Sequence, residues 1–193
     1  LRISLGVEVR PGKEHAAAHG LSGLWSTLSA LPRSRWPTFA RGDCGYGNEK
    51  LMQEFEAQGL PYLFKLRHTR NVKKLVQSCL REQAGWLEAG AGWQVMEAEL
   101  KLRGWSHPRR VVLVRESPAR APVGAQARRR RDHLDLPLAE GQAWPQSSAP
   151  WSGRIAVLVS SLDGVAYPTL AMPRLYRERA DAENIFDELK NQW

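Results

Sequence analysis

The chain reads as an α/β protein built on a partly parallel sheet. Three observations carry this. The first 85 residues alternate strand-like and helix-like segments three times, the order that lays helices on a sheet whose strands run partly in one direction. Hydrophobic residues make up 42% of 193, enough for one cored domain with an insertion or two small ones. After Gly85 the pattern turns β-rich, and a helical pattern returns only near the end.

LRISLGVEVR, residues 1–10, alternates strictly, with Leu1, Ile3, Leu5, Val7 and Val9 on one face. That predicts a strand with one buried face, closed by the turn pair Pro11 and Gly12. HAAAHGLSGLWSTLSAL, 15–31, predicts a helix that Pro32 ends. TFA, 38–40, predicts a short strand, with RGDCGYG as the turn after it. Asn48 is placed to cap a helix carrying Leu51, Met52 and Phe55, and Gly59 to stop it. PYLFKLR predicts a strand. NVKKLVQSCLREQ predicts an amphipathic helix, with Val72, Leu75, Val76, Cys79 and Leu80 at helical spacing.

WQVMEAELKL and RVVLVRE flank RGWSHPR and predict paired strands. Residues 117–153, rich in Pro, Ala, Gly, Ser and Arg, predict a long loop. RIAVLVSSL predicts a further strand, and a last helix runs from about Arg174. The expected division is 1–85 as the first part of the core, 86–165 as a β-rich insertion, and 166–193 as a closing helix. Leu1 already sits in a strand pattern and Trp193 follows a helix with no stop signal, so the chain reads as part of a longer protein.

A net charge of +8 and a pI of about 9.9 point to an acidic partner, nucleic acid or anionic lipid. No apolar run approaches the ~20 residues of a membrane span, and no basic-then-apolar leader is visible. Two cysteines, Cys44 and Cys79, suit a reducing compartment and exclude a disulfide scaffold. No Gly-rich phosphate loop occurs, so no nucleotide cofactor is indicated. The histidines do not combine with cysteine at zinc spacing; His15 and His19 are four apart but lack a third ligand. The cluster ARRRRDH, 127–133, reads either as a set of phosphate contacts or as a solvated loop.

The segment YRERADAENIFDELK, 176–190, carries the chemistry. Tyr176, Arg179, Glu183 and Lys190 stand at offsets of three, seven and fourteen, which bring all four to one stripe of a helix, spread over roughly 60°. Asp43 lies just beyond a predicted strand, where α/β proteins place ligand-binding groups. Two carboxylates brought together repel unless a divalent cation lies between them, and hard oxygen donors suit Mg²⁺ or Mn²⁺. Plainer readings exist. Asp43 can be an ordinary turn residue, and Glu183 can pair with Arg179 on a solvated helix face. Arg-Gly-Asp at 41–43 matches an adhesion tripeptide but is too short to count, and Cys44 has no identifiable histidine partner for thiol chemistry.

The gaps in Tyr176-(2)-Arg179-(3)-Glu183-(6)-Lys190 resemble, at every position, the Y-R-E-K signature of bacterial insertion-sequence DDE transposases of the "insertion sequence four" type. TFARGDCGYGNEKLMQEFEAQGLPYLFKLR is similar to that family's segment around its second catalytic aspartate, and VEVRPGKEHAA to its strand, Pro-Gly turn and histidine. The resemblance implies a ribonuclease-H-like core, a mixed sheet flanked by helices, with a β-rich insertion before the closing helix. It implies Asp43 and Glu183 as the second and third catalytic acids and as metal ligands for two Mg²⁺ or Mn²⁺ ions. It also implies DNA contacts from Tyr176, Arg179 and Lys190. Trp105 resembles a tryptophan that some relatives stack on a displaced base, although packing within its hairpin is an equal reading, with Trp86 and Trp93 nearby.

The implied activity is phosphodiester hydrolysis and strand transfer at transposon ends, in DNA transposition and recombination. The implied setting is a homodimer in a synaptic complex, with no membrane, in the bacterial cytoplasm at the nucleoid. Lys13 departs from the family's asparagine after Pro-Gly. The first catalytic aspartate is also missing: the only acids before Asp43 are Glu8, on the polar face of its strand, and Glu14, in a turn. The expectation is therefore that this chain alone is inactive. The rival expectation is a non-catalytic nucleic-acid-binding remnant of a truncated transposase, with a host nuclease of the same core as a third.

Overall fold

The structure, a computed structural model, describes residues 16–90, 92–116 and 155–178. The strand expected at 1–10, the loop at 117–153 with its basic cluster, and Arg179, Glu183 and Lys190 lie outside the described residues.

Four helices and six strands are described. The helices are α1 (Ala16–Ser29), α2 (Glu49–Ala57), α3 (Arg70–Arg81) and α4 (Met172–Arg177). The strands are β1 (Ala40–Gly42), β2 (Tyr62–Lys65), β3 (Leu87–Glu88), β4 (Trp93–Leu100), β5 (Arg109–Glu116) and β6 (Ile155–Ser160). All six strands form one sheet in the order β1-β2-β6-β5-β4-β3. β1 and β2 run parallel, joined through α2, and every other neighbouring pair is antiparallel. The β-rich stretch after Gly85 thus continues the sheet that β1 and β2 begin, through the β2–β6 pairing.

The sheet is covered on both faces, and the pleat sorts the side chains. Val111 and Leu113 of β5, with Val157 and Val159 of β6, join Leu51, Phe55, Val72 and Val76 of α2 and α3 in one core cluster. Val112, Val114 and Leu158 point the other way, to Met172 and Tyr176 of α4. Burial on both faces explains why RVVLVRE and IAVLVS are apolar runs rather than alternating ones.

α2 begins as its sequence demands. Asn48 Oδ1 accepts from Leu51 N–H at 3.2 Å, and Gly59 ends the element at a φ of +61°. β1 differs from the sequence expectation, lying at Ala40–Gly42 rather than 38–40. Pairing decides it: Ala40 N–H donates to Pro61 O at 2.8 Å, and Gly42 comes opposite Phe64. α4 starts at Met172, two residues earlier than expected, because Pro173 fits a first helical turn.

A candidate active site at the end of β1

Asp43 follows directly on β1, at the carboxyl end of the parallel pair. Its Oδ1 accepts from Gly45 N–H at 2.8 Å, and its backbone carbonyl accepts from Tyr46 N–H at 3.2 Å. The turn and the strand end are therefore one structure: the bond aims the carboxylate. The residue is exposed, and among the described residues nothing bonds its other oxygen. Tyr46 packs on Phe64 with ring centroids 5.7 Å apart. Burial, with the Asp43 charge adding to it, pushes the Tyr46 phenol above its ordinary pKa.

Two glycines let this turn sit close to the sheet. A Cβ on Gly42 would lie 2.8 Å from Tyr46 Cγ and 2.9 Å from Phe64 Cδ1. One on Gly47 would lie 2.4 Å from the Lys65 carbonyl oxygen. Neither position tolerates a side chain without movement of its neighbours.

Arg41, two residues before Asp43, reaches across the edge of the sheet to α4. Its Nη1 donates to Leu175 O at 2.7 Å and lies 3.4 Å from Glu178 Oε2. The strand that leads to Asp43 and the carboxyl end of α4 are thereby neighbours. Sequence reasoning missed Arg41, reading it only as part of a turn; its placement after an apolar strand start was the available signal.

Tyr176 is 5% exposed and packs in the cluster with Met172 and Leu63, where its ring anchors α4 to the sheet. Trp105 is 8% exposed and belongs to the opposite core cluster, with the Arg109 guanidinium 5.2 Å above its ring. The hairpin around it is clamped to α2. Arg109 donates to Glu49 Oε2 at 2.5 Å and to Glu56 Oε1 at 2.8 Å, and Ser106 N–H donates to Glu49 Oε1 at 2.8 Å. Burial would raise both carboxyls, but the bonds from Ser106 and Arg109 outweigh it at Glu49, and those from Arg109 and Tyr62 at Glu56, so both sit below the ordinary value.

An exposed carboxylate with a free oxygen is a hard donor of the kind Mg²⁺ and Mn²⁺ take. Among the described residues, no three His, Cys, Asp or Glu side chains converge on a metal position. No helix of the described residues is long and apolar enough to cross a membrane.

Comparison with curated proteins finds no match. A family profile, transposase DDE domain group 1, matches residues 4–193, which include the β1 edge, the Arg41 link and the closing segment beyond α4. The chain belongs to the transposase DDE domain family, group 1.

Proposed function

We propose that this chain is the catalytic domain of a DNA transposase of the "insertion sequence four" type. Asp43 and Glu183 are two of its acids, and Tyr176, Arg179, Glu183 and Lys190 are its Y-R-E-K signature. The observation that supports this most is the Arg41 bond to Leu175 O, which brings the start of the closing helix beside the strand that ends in Asp43.

Asp43 and Glu183 would hold Mg²⁺ or Mn²⁺. When bound, such ions activate an attacking oxygen and stabilise a leaving oxygen at phosphorus, which serves both hydrolysis and strand transfer. Arg179 and Lys190 hold flanking phosphates as charge-assisted donors. Tyr176 keeps the helix seated on the sheet, and Trp105 keeps the hairpin seated on α2. Within this reading a third carboxylate completes the set, and cleavage requires it. The whole enzyme acts on paired transposon ends as a homodimer.

Mn²⁺ titration followed by electron paramagnetic resonance tests the site. Asp43→Asn and Glu183→Gln should each weaken binding at least about tenfold, since loss of even an outer-shell partner of a metal ligand costs about 10–100-fold. Asp163→Asn, at another exposed turn aspartate that accepts from Val165 and Ala166 N–H, should leave it unchanged. Binding indifferent to Asp43→Asn, with DNA affinity retained, would favour the non-catalytic remnant. Robust Mg²⁺-dependent cutting by this chain would contradict the need for a further acid.

A further inference from the structure

Behind the Asp43 turn, on the face covered by α1, α2 and α3, lies a groove of about 680 Å³. Its volume falls among clefts that hold small ligands, roughly 300–1,000 Å³. Leu21, Leu51, Leu66 and Val72 form an apolar floor, with Trp25 and Leu102 beside it. Lys50 and Arg67 stand at its rim, both exposed and in no ion pair among the described residues. The single carboxylate in the lining, Glu54, accepts from Trp25 Nε1.

The surrounding field is positive. From Gln58 to Arg81 the chain has no acidic residue, yet it carries Lys65, Arg67, Arg70, Lys73, Lys74 and Arg81. His68 reports this field: burial first, then the Lys65 and Lys73 ammonium groups, hold its imidazole below the ordinary value.

We infer that this groove takes one unpaired nucleotide of a DNA strand, its base on the apolar floor and its phosphate between Lys50 and Arg67. Each half of the groove excludes a simpler occupant. A small inorganic anion would leave the floor wet, and a neutral apolar ligand would leave two rim cations unused. A base still paired in a duplex cannot leave its stack to enter a cleft of this size, so the strand must be single or the base extruded. The inference rests on the transposase reading, which brings DNA to this edge of the sheet.

Cys44, half-buried in the groove wall, is a native thiol that supplies the test. An oligonucleotide carrying a disulfide tether on one base should exchange with the Cys44 thiolate, releasing the small thiol and leaving the DNA bound through sulfur. Capture is expected with single-stranded DNA, to be absent with the same sequence as duplex, and to vanish in Cys44→Ser; Cys79, buried, serves as the internal control.

In parallel, Lys50→Gln with Arg67→Gln should lower single-strand affinity about fivefold at 0.1 M salt, because the two cations hold one phosphate. It should also reduce the salt slope by about 0.7, the value for one phosphate contact. If the native chain binds DNA but the double variant matches it and Cys44 is not captured, the groove inference fails and the transposase reading stands. Equal capture from duplex would also overturn it. If the native chain binds neither form of DNA, the transposase reading itself fails.

Discussion

Gly47→Ala is the sharpest perturbation the Asp43 turn offers. The added methyl carbon would meet the Lys65 carbonyl oxygen at 2.4 Å and Leu66 Cδ2 at 3.1 Å. An ordinary carbon-to-carbonyl-oxygen contact is about 3.3–3.6 Å, so the turn or the end of β2 must give by roughly 1 Å. Backbone stands on both sides, so no flexible side chain can absorb the shift. Overpacking of this kind costs about 1–3 kcal/mol, and a backbone clash belongs at the upper end, near 2–3 kcal/mol.

In urea, with a slope of about 2 kcal/mol per molar, the midpoint should fall by about 1–1.5 M. Gly104→Ala is the comparison, since its Cβ would meet nothing within 4 Å and only its φ of +92° opposes a side chain. That change should cost no more than about 1–2 kcal/mol. A Gly47→Ala midpoint within 0.2 M of the native one would refute the argument that close approach of the turn to Lys65 holds Asp43 in place.

Other expectations follow from the clamp and the cross-sheet link. Arg109→Ala removes a side chain that is only 2% exposed and leaves Glu49 and Glu56 without their guanidinium partner. Because both acids reach solvent, the cost should be about 2–3 kcal/mol in the same urea assay, below the figure for a fully buried pair. Glu49 and Glu56 are held below the ordinary carboxyl value of 4.5, so the unfolded chain takes up their protons first as pH falls. Their stabilisation is complete above about pH 4.5 and is lost as pH drops through the lower folded values, so Glu56→Gln should flatten the acid limb of a stability-against-pH curve. Arg41→Ala removes a half-exposed ion pair worth under about 1 kcal/mol, so the midpoint should barely move. Amide exchange across Met172–Arg177 should nevertheless quicken while β5 and β6 stay protected; unchanged exchange there would deny Arg41 its anchoring role.

Much of the core was legible because its signals are local. Asn48 and Gly59 bound α2 as their chemistry requires, and the spacing of Val72, Val76 and Cys79 fixed the buried side of α3. What was not legible depended on partners distant in sequence. The position of β1 was set by Pro61 and Phe64, not by its own three residues. Tyr176 was read for its polar tip, yet its ring has Met172 and Leu63 as neighbours on the sheet. The Arg109 clamp joins residues 53 and 60 positions apart, a separation no periodicity displays. Asp43 was found as a strand-end acid, but the link that lends it meaning, Arg41 to α4, spans 134 positions.

The shape of the sheet also apportions its endurance. β4, β5 and β6 share long ladders, with β5 and β6 under cover on both faces, whereas β1 offers three residues to a single described neighbour. Spontaneous opening should therefore begin at the margin that bears the carboxylate and reach the middle strands last. A protease acting on the intact fold would nick near Asp43 long before it touched β5, and the same looseness would let that margin reshape itself around an arriving strand.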